Sequence, residues 1–222
     1  MTEMVNIQEI LITSLKDRNI FHSEADFQHH LAWHIHTELQ NPQLRLEYPL
    51  SKNGSNRWEY CDIVLKSPCN IGIELKYKTK RFTTKIEGES FELKDQSAQD
   101  EGRYDFLKDV KRLETWCKDG KINSGYAIIL TNDSSYWTKP TKDDTKDKDF
   151  RLHNRKIIDK LDLDWKKDTS KTTKKGRGGF KLENEYSLEW KDVDSNVPNS
   201  NFRYILLKVE CPTVNASAEC KR

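Results

Sequence analysis

Residues 57–78 read RWEYCDIVLKSPCNIGIELKYK, and the fold turns on how this stretch is divided. Two runs rich in β-branched and aromatic residues, Arg57 to Leu65 and Ile71 to Lys78, flank Ser67-Pro68-Cys69-Asn70, which is turn chemistry. Side chains alternate between the faces of a strand. Asp62 and Val64 are therefore expected on one face of the first run, with Cys61, Ile63 and Leu65 on the other. In the second run Glu74 and Lys76 share a face, and Ile73, Leu75 and Tyr77 point oppositely. Charges inside apolar strands are costly unless they are paired or hold an ion.

Working outward, Leu44, Leu46, Tyr48 and Leu50 alternate like another strand, and Ser51 to Asn56 supplies a turn. Three short strands joined this way predict an antiparallel meander. Before it, Ile7, Ile10, Leu11 and Leu15 mark an amphipathic helix over residues 5–18. Ser23 opens a second helix, with Asp26 in a capping-box position and Phe27, Leu31, Ile35 and Leu39 as its apolar stripe. After the meander, residues 79–91 read as a loop or small excursion. A long helix follows from about Asp95 to Lys118, with Phe106, Val110, Leu113 and Cys117 buried and Gly120 as its cap. Residues 125–131, GYAIILT, are apolar nearly throughout, as in a strand covered on both faces after a helical crossover. Residues 132–181 form a polar, partly basic insertion or loop with a short helix around His153 to Leu161. Tyr186 to Lys191 and Phe202 to Val209 alternate like a late hairpin, and the tail after Cys211 frays. The expectation is one α/β domain over 1–222, with its core at about 20–130 and late strands over 186–210. It has a mixed central sheet flanked by helices and a C-terminal β-hairpin extension.

Bulk composition bounds the function only loosely. Hydrophobic residues make up 35% and charged residues 33% of 222, so long solvated loops or a broad ligand-facing surface are expected. The net charge of +2 averages away a strongly basic run discussed below. No apolar run is long enough to span a membrane. The N-terminal residues lack a basic segment followed by an apolar one, so no signal peptide is expected. The five cysteines form no C-x-x-C, which argues against a zinc knuckle or a disulfide framework and for a reducing, cytoplasmic setting.

The chemistry concentrates in Asp62, Glu74 and Lys76. Two carboxylates on neighbouring strands suit Mg²⁺, with Mn²⁺ as substitute. A bound divalent ion activates water and offsets charge on a phosphate, and a nearby lysine positions that water and stabilises the transition state. The order helix, strand, strand with Asp62, strand with Glu74-Leu75-Lys76, then a long helix resembles the core of the PD-(D/E)XK nuclease superfamily, the restriction-endonuclease-like fold. The resemblance covers roughly residues 20–130. It implies a metal-dependent endonuclease cutting DNA, in restriction or repair, acting on double-stranded DNA and able to work as a homodimer. It also implies Glu24 and the Leu75 carbonyl as further metal ligands, and Gln96, Gln99 or Arg103 on the long helix contacting phosphate or orienting Lys76. The proline that gives the family its name is absent, since Tyr60-Cys61 precede Asp62.

Plainer readings stand beside these. Asp62 and Glu74 can be half-exposed sheet residues with Lys76 as a cross-strand partner. Glu24 can simply favour a helix N-terminus, and Gln96 and Gln99 can be ordinary polar helix residues. His30 and His34 have metal-competent spacing, but no H-E-x-x-H pattern accompanies them, and a surface or boundary role is favoured. Residues 166–181, KKDTSKTTKKGRGGFK, form a flexible basic run whose Lys171, Lys174, Lys175 and Arg177 suit a phosphate backbone, or else a solubilising loop. Alternatives to the nuclease are a catalytically inactive nucleic-acid-binding module of the same fold and a protein-interaction domain.

Overall fold

The computed structural model describes residues 5–40, 42–67 and 69–211. Two helices come first, α1 (Ile7–Asp17) and α2 (Glu24–Glu38). Asn6 caps α1 by accepting from Glu9 N–H, and Ser23 caps α2 by accepting from Asp26 N–H. The meander follows as β1 (Gln43–Lys52), β2 (Trp58–Ser67) and β3 (Ile71–Lys78), antiparallel throughout. The excursion after it is a hairpin, β4 (Phe82–Ile86) and β5 (Glu89–Leu93). The crossover helix α3 (Gln99–Lys118) then leads into β6 (Ser124–Thr131), which lies parallel to β3.

The remaining chain holds short pieces: β7 (Ile157–Ile158), β8 (Asp162–Leu163), α4 (Lys171–Lys174), β9 (Phe180–Lys181), β10 (Tyr186–Ser187), β11 (Lys191–Asp192) and the long β12 (Arg203–Glu210). The central sheet has six strands in the order β1-β2-β3-β6-β12-β11. It is mixed, because β3 and β6 are parallel while the other pairs are antiparallel.

One face of the sheet meets α1 and α2 through Ile63, Leu65, Ile73, Leu75, Tyr77, Ile128 and Leu130. The other meets α3 and the late segments through Val64, Ala127, Ile129, Ile205 and Leu207 against Phe106, Val110 and Leu113. α3 lies close on β6: a Cβ at Gly125 would sit 3.0 Å from Leu113 Cβ, so the glycine sets the depth of this packing. With apolar side chains on both faces, β6 is the doubly covered strand that its continuous apolar run predicts.

Four expectations are corrected. Residues 153–161 are not helical; Arg155 takes a left-handed φ of 62° and Ile157–Ile158 pair with β10 instead. The late hairpin is not an extension, because β12 is an interior strand of the central sheet, and only β11 returns against it. The long helix begins at Gln99 rather than Asp95, because Ala98 has φ 62° and breaks the helical path. A disulfide is present, Cys117–Cys211, and Cys69 is likewise disulfide-bonded, which removes the cysteine argument for a reducing compartment. No helix among the described residues is long and apolar enough to cross a membrane. The tail 212–222 lies outside the described residues.

Candidate metal centre

The site forms where β2 and β3 part. Their pairing runs from Leu65↔Ile71 to Ile63↔Ile73 and stops there. Beyond that point the N–H groups of Leu75 and Tyr77 have no strand to bond, and two carboxylates take them. Asp62 Oδ2 accepts from Leu75 N–H at 2.6 Å, and Glu24 Oε2 accepts from Tyr77 N–H at 2.7 Å. The first turn of α2 and the end of the β2–β3 ladder are thereby pinned to successive points of one strand edge.

The parting has a local cause. Opposite Asp62 on β1, Glu47 adopts φ 46°, a left-handed conformation that costs a non-glycine residue free energy. On both strands the alternation inverts across this pair. Leu44 and Leu46 pack toward α1 and α2, but Tyr48 and Leu50 toward α3; Ile63 and Leu65 pack toward α1 and α2, but Cys61 toward α3. Simple alternation, which puts Cys61 with Ile63, is therefore corrected at this point. Gln28 of α2 fills the break, its Nε2 donating to the Asp62 carbonyl at 2.6 Å and to Glu47 Oε1 at 2.8 Å.

On the α3 side of β3, charges meet in register. Lys76 Nζ lies 2.6 Å from Asp109 Oδ2 and donates to the Leu75 carbonyl at 3.0 Å. Arg112 Nη2 lies 2.6 Å from Glu74 Oε2 and 2.9 Å from Asp109 Oδ1. The Arg112–Glu74 approach is an ion pair without hydrogen-bond alignment, and the buried Glu74 Oε1 meets no donor among the described residues. Further along, a Cβ at Gly102 would run into Tyr136 Oη and approach Lys78 Cε, so α3 passes directly over Lys78.

These groups form one electrostatic cluster. Burial pushes the Asp62 carboxyl up to about 6, against the pull of Lys76 and the Leu75 N–H. Burial, and then repulsion from Asp109, raises Glu74 well above the carboxylate range although Arg112 opposes it. Burial works against the Lys76 ammonium, but Asp109, Glu24 and Asp62 outweigh it and raise its pKa. Lys76 is thus a fixed cation at neutral pH. Four carboxylates (Glu24, Asp62, Glu74, Asp109) face two cations (Lys76, Arg112), which leaves two negative charges in excess when all are ionised.

No family model matches this chain, and no curated protein or solved structure matches it significantly.

The other expected site residues are distributed as follows. Glu24, Asp62, Glu74 and Lys76 lie within electrostatic reach of one another along β3, but among the described residues no three of these carboxylates and Asp109 place ligand atoms within 4.8 Å of one another. Gln96 does not join them: it is exposed, ahead of α3, and its N–H donates to the Thr79 carbonyl. Gln99 turns to Asp133 Oδ2 at 3.0 Å. Arg103 is buried against Asp147, with Nε and Nη2 at 2.8 and 2.7 Å from Oδ2. The places on α3 expected for Gln99 and Arg103 belong to Asp109 and Arg112. Sequence reasoning missed these two, together with Gln28 and Glu47. Asp109 and Arg112 follow Phe106 at helical spacing, and their distance from the expected glutamine region concealed them.

The basic run divides. Lys171 and Lys175 are exposed, and Lys174 Nζ reaches the Lys167 carbonyl at 3.4 Å. Arg177 pairs with Glu101 at 3.0 Å and Asp105 at 3.3 Å. Asp105 lies four residues before Asp109, so Arg177 is anchored one helical turn, about 6 Å, along α3 from the Lys76–Asp109 pair.

Proposed function

We propose that this chain is a divalent-cation-dependent phosphodiesterase acting on DNA, with a restriction-endonuclease-like core of the PD-(D/E)XK type. The observation that carries it is the gathering of four carboxylates about Lys76 and Arg112, with burial raising Asp62 and Glu74 and one oxygen of Glu74 left without a donor among the described residues. Buried carboxylates in this state are stabilised by a cation. Oxygen-only donors at one strand edge suit Mg²⁺ or Mn²⁺. Asp62 and Glu74 would hold such an ion, with the Leu75 carbonyl beside them; among the described residues no three of the cluster's carboxylates bring ligand atoms within 4.8 Å of one another, so the side chains would have to close on it. When bound, it lowers the pKa of a coordinated water and offsets charge on the phosphate. The meander, the α3 crossover and the parallel β6 agree with the arrangement that the resemblance implies.

The chain's own residues then have definable tasks. Lys76, held as an ammonium, takes no proton from water; it donates to the attacking water and to the phosphate oxygens as charge develops there. Asp109 holds the ammonium in place and keeps it protonated. Leu75 N–H fixes one oxygen of Asp62, so that carboxylate presents its other oxygen in a set orientation. Arg177, held against α3 by Glu101 and Asp105, and the exposed Lys171 and Lys175 suit the flanking phosphate backbone.

A second reading, a binding module of the same fold that does not cut, is favoured by one observation. Glu74 has no exposed side-chain surface and is already paired with Arg112. A plasmid-nicking assay with and without Mg²⁺, on the wild type and Asp62→Ala, separates the two. The nuclease reading predicts Mg²⁺-dependent nicking that Asp62→Ala abolishes. DNA binding without nicking in the wild type favours the second reading.

A further inference from the structure

A second cluster, remote in sequence from the carboxylates of β2 and β3, joins the end of α1 to the middle of α2. Asp17 is the last residue of α1, and His30 and His34 stand one turn apart on α2. Asp17 Oδ2 is 3.2 Å from His34 Nε2 and 3.8 Å from His30 Nε2, and one ligand atom from each of the three lies within 4.8 Å of the other two. We propose that Asp17, His30 and His34 bind a transition-metal dication, Zn²⁺ foremost, and so clip α1 to α2.

The spacing supports this. Metal–ligand bonds of about 2.0–2.1 Å in a tetrahedron place ligand atoms about 3.3–3.4 Å apart. The two distances to Asp17 bracket that value and the histidine ligand atoms lie within 4.8 Å of each other, so the three side chains need only close on an ion placed between them. The imidazoles are held in place by packing. Their side chains are only 10% and 16% exposed, and the His30 ring packs against Phe21 with centroids 5.2 Å apart. Asp17, at 65% exposed, leaves the site open to an ion and a fourth ligand from water. The setting is also electrostatically suitable, because the C-terminal end of α1 carries partial negative charge. Burial lowers the His30 pKa and favours the neutral ring that ligates. The nearby Arg18 is engaged by Asp26 at 2.6 Å.

His30 Nε2 now lies 2.9 Å from the Ser14 carbonyl. On binding, that proton moves to Nδ1 and a metal–nitrogen bond replaces the hydrogen bond. Two nitrogens and one carboxylate oxygen select Zn²⁺, Co²⁺ or Ni²⁺ over Mg²⁺, which separates this site chemically from the oxygen-only cluster. The inference does not depend on the nuclease reading.

The test titrates the metal-free full chain with Zn²⁺ by calorimetry and with Co²⁺ by visible absorption. In the Asp62→Asn, Glu74→Gln background, which disables the carboxylate cluster, the expected result is one saturable site with the intense bands of tetrahedral Co²⁺ and no sulfur charge-transfer band. Asp17→Asn and His34→Gln should each weaken it by roughly tenfold or more. His29→Ala, on the same helix but outside the cluster, should leave it unchanged. Asp17 is on the surface, so its variant stays folded if the histidine variant does not, and far-UV circular dichroism checks both. Absence of saturable binding overturns the proposal. So does loss of binding in His29→Ala equal to that in His34→Gln.

Discussion

Replacing Asp62 by asparagine should make the metal-free protein more stable while destroying its proposed activity. The side chain keeps its shape and an oxygen to accept from Leu75 N–H, but it loses a charge that the fold holds at a cost. That cost follows from the distance between the ordinary carboxyl value of 3.8 and the value of about 6 in the folded chain. At 1.36 kcal/mol for each tenfold change in proton affinity, this is about 3 kcal/mol. Asp62 is not fully sealed from water, so solvent screening reduces the figure, and a gain of about 1–3 kcal/mol is expected at pH 8. For a chain of this length that is a rise of about 3–10 °C in Tm.

The sign with pH is fixed. A carboxyl whose folded pKa is raised stabilises the fold fully below its unfolded value near 3.8, and that contribution is lost as pH rises through about 6. Asparagine does not titrate, so its advantage over aspartate should be present at pH 8 and vanish by pH 4. Urea denaturation of both proteins in EDTA across this range measures it. An Asp62→Asn protein no more stable than wild type at pH 8, or one with the same advantage at both pH values, would refute the burial-cost reasoning.

Glu74→Gln and Lys76→Met are each expected to abolish Mg²⁺-dependent nicking, with DNA affinity measured separately by anisotropy to show that binding persists. Arg112→Met leaves Glu74 and Asp109 without that guanidinium and should cost about 3–5 kcal/mol in chemical denaturation, most of it recovered when Glu74→Gln is added. Neutralising Lys171, Lys174, Lys175 and Arg177 together should weaken DNA binding and flatten its dependence on salt, by about 0.9 in log–log slope for each phosphate that the chain no longer neutralises. Cys117→Ser combined with Cys211→Ser should cost about 2–5 kcal/mol relative to the oxidised protein, because the bond closes a long loop in the unfolded chain; thiol counting before and after reduction verifies the bond.

The meander was legible because its strands announce themselves by alternation, and the crossover because Phe106, Val110 and Leu113 repeat at helical period before an all-apolar strand. Asp62, Glu74 and Lys76 stood out as charges within those strands. The phase inversion at Glu47 and Asp62 was not legible, since it depends on a left-handed residue with no glycine or asparagine to signal it and on Gln28 arriving from another element. Asp109 and Arg112 were hidden for a related reason. In a charged helix such as α3, residues at this spacing look like a solvated face until the sheet beneath is known to carry opposite charges. Gln96 was misplaced because Ala98 ends the helical path by its backbone conformation, which its side chain does not advertise. The short strands β7 to β10 pair over two residues each, below any length at which alternation is visible.

Mn²⁺ binding to the metal-free chain, followed by electron paramagnetic resonance, tests most directly whether the buried carboxylate cluster holds a divalent ion. With Asp17→Asn present to disable the histidine cluster, one Mn²⁺ should bind per chain, and adding Asp62→Asn with Glu74→Gln should abolish that binding. No bound Mn²⁺ in the first protein, or undiminished binding in the second, would contradict the assignment of a metal centre to β2 and β3.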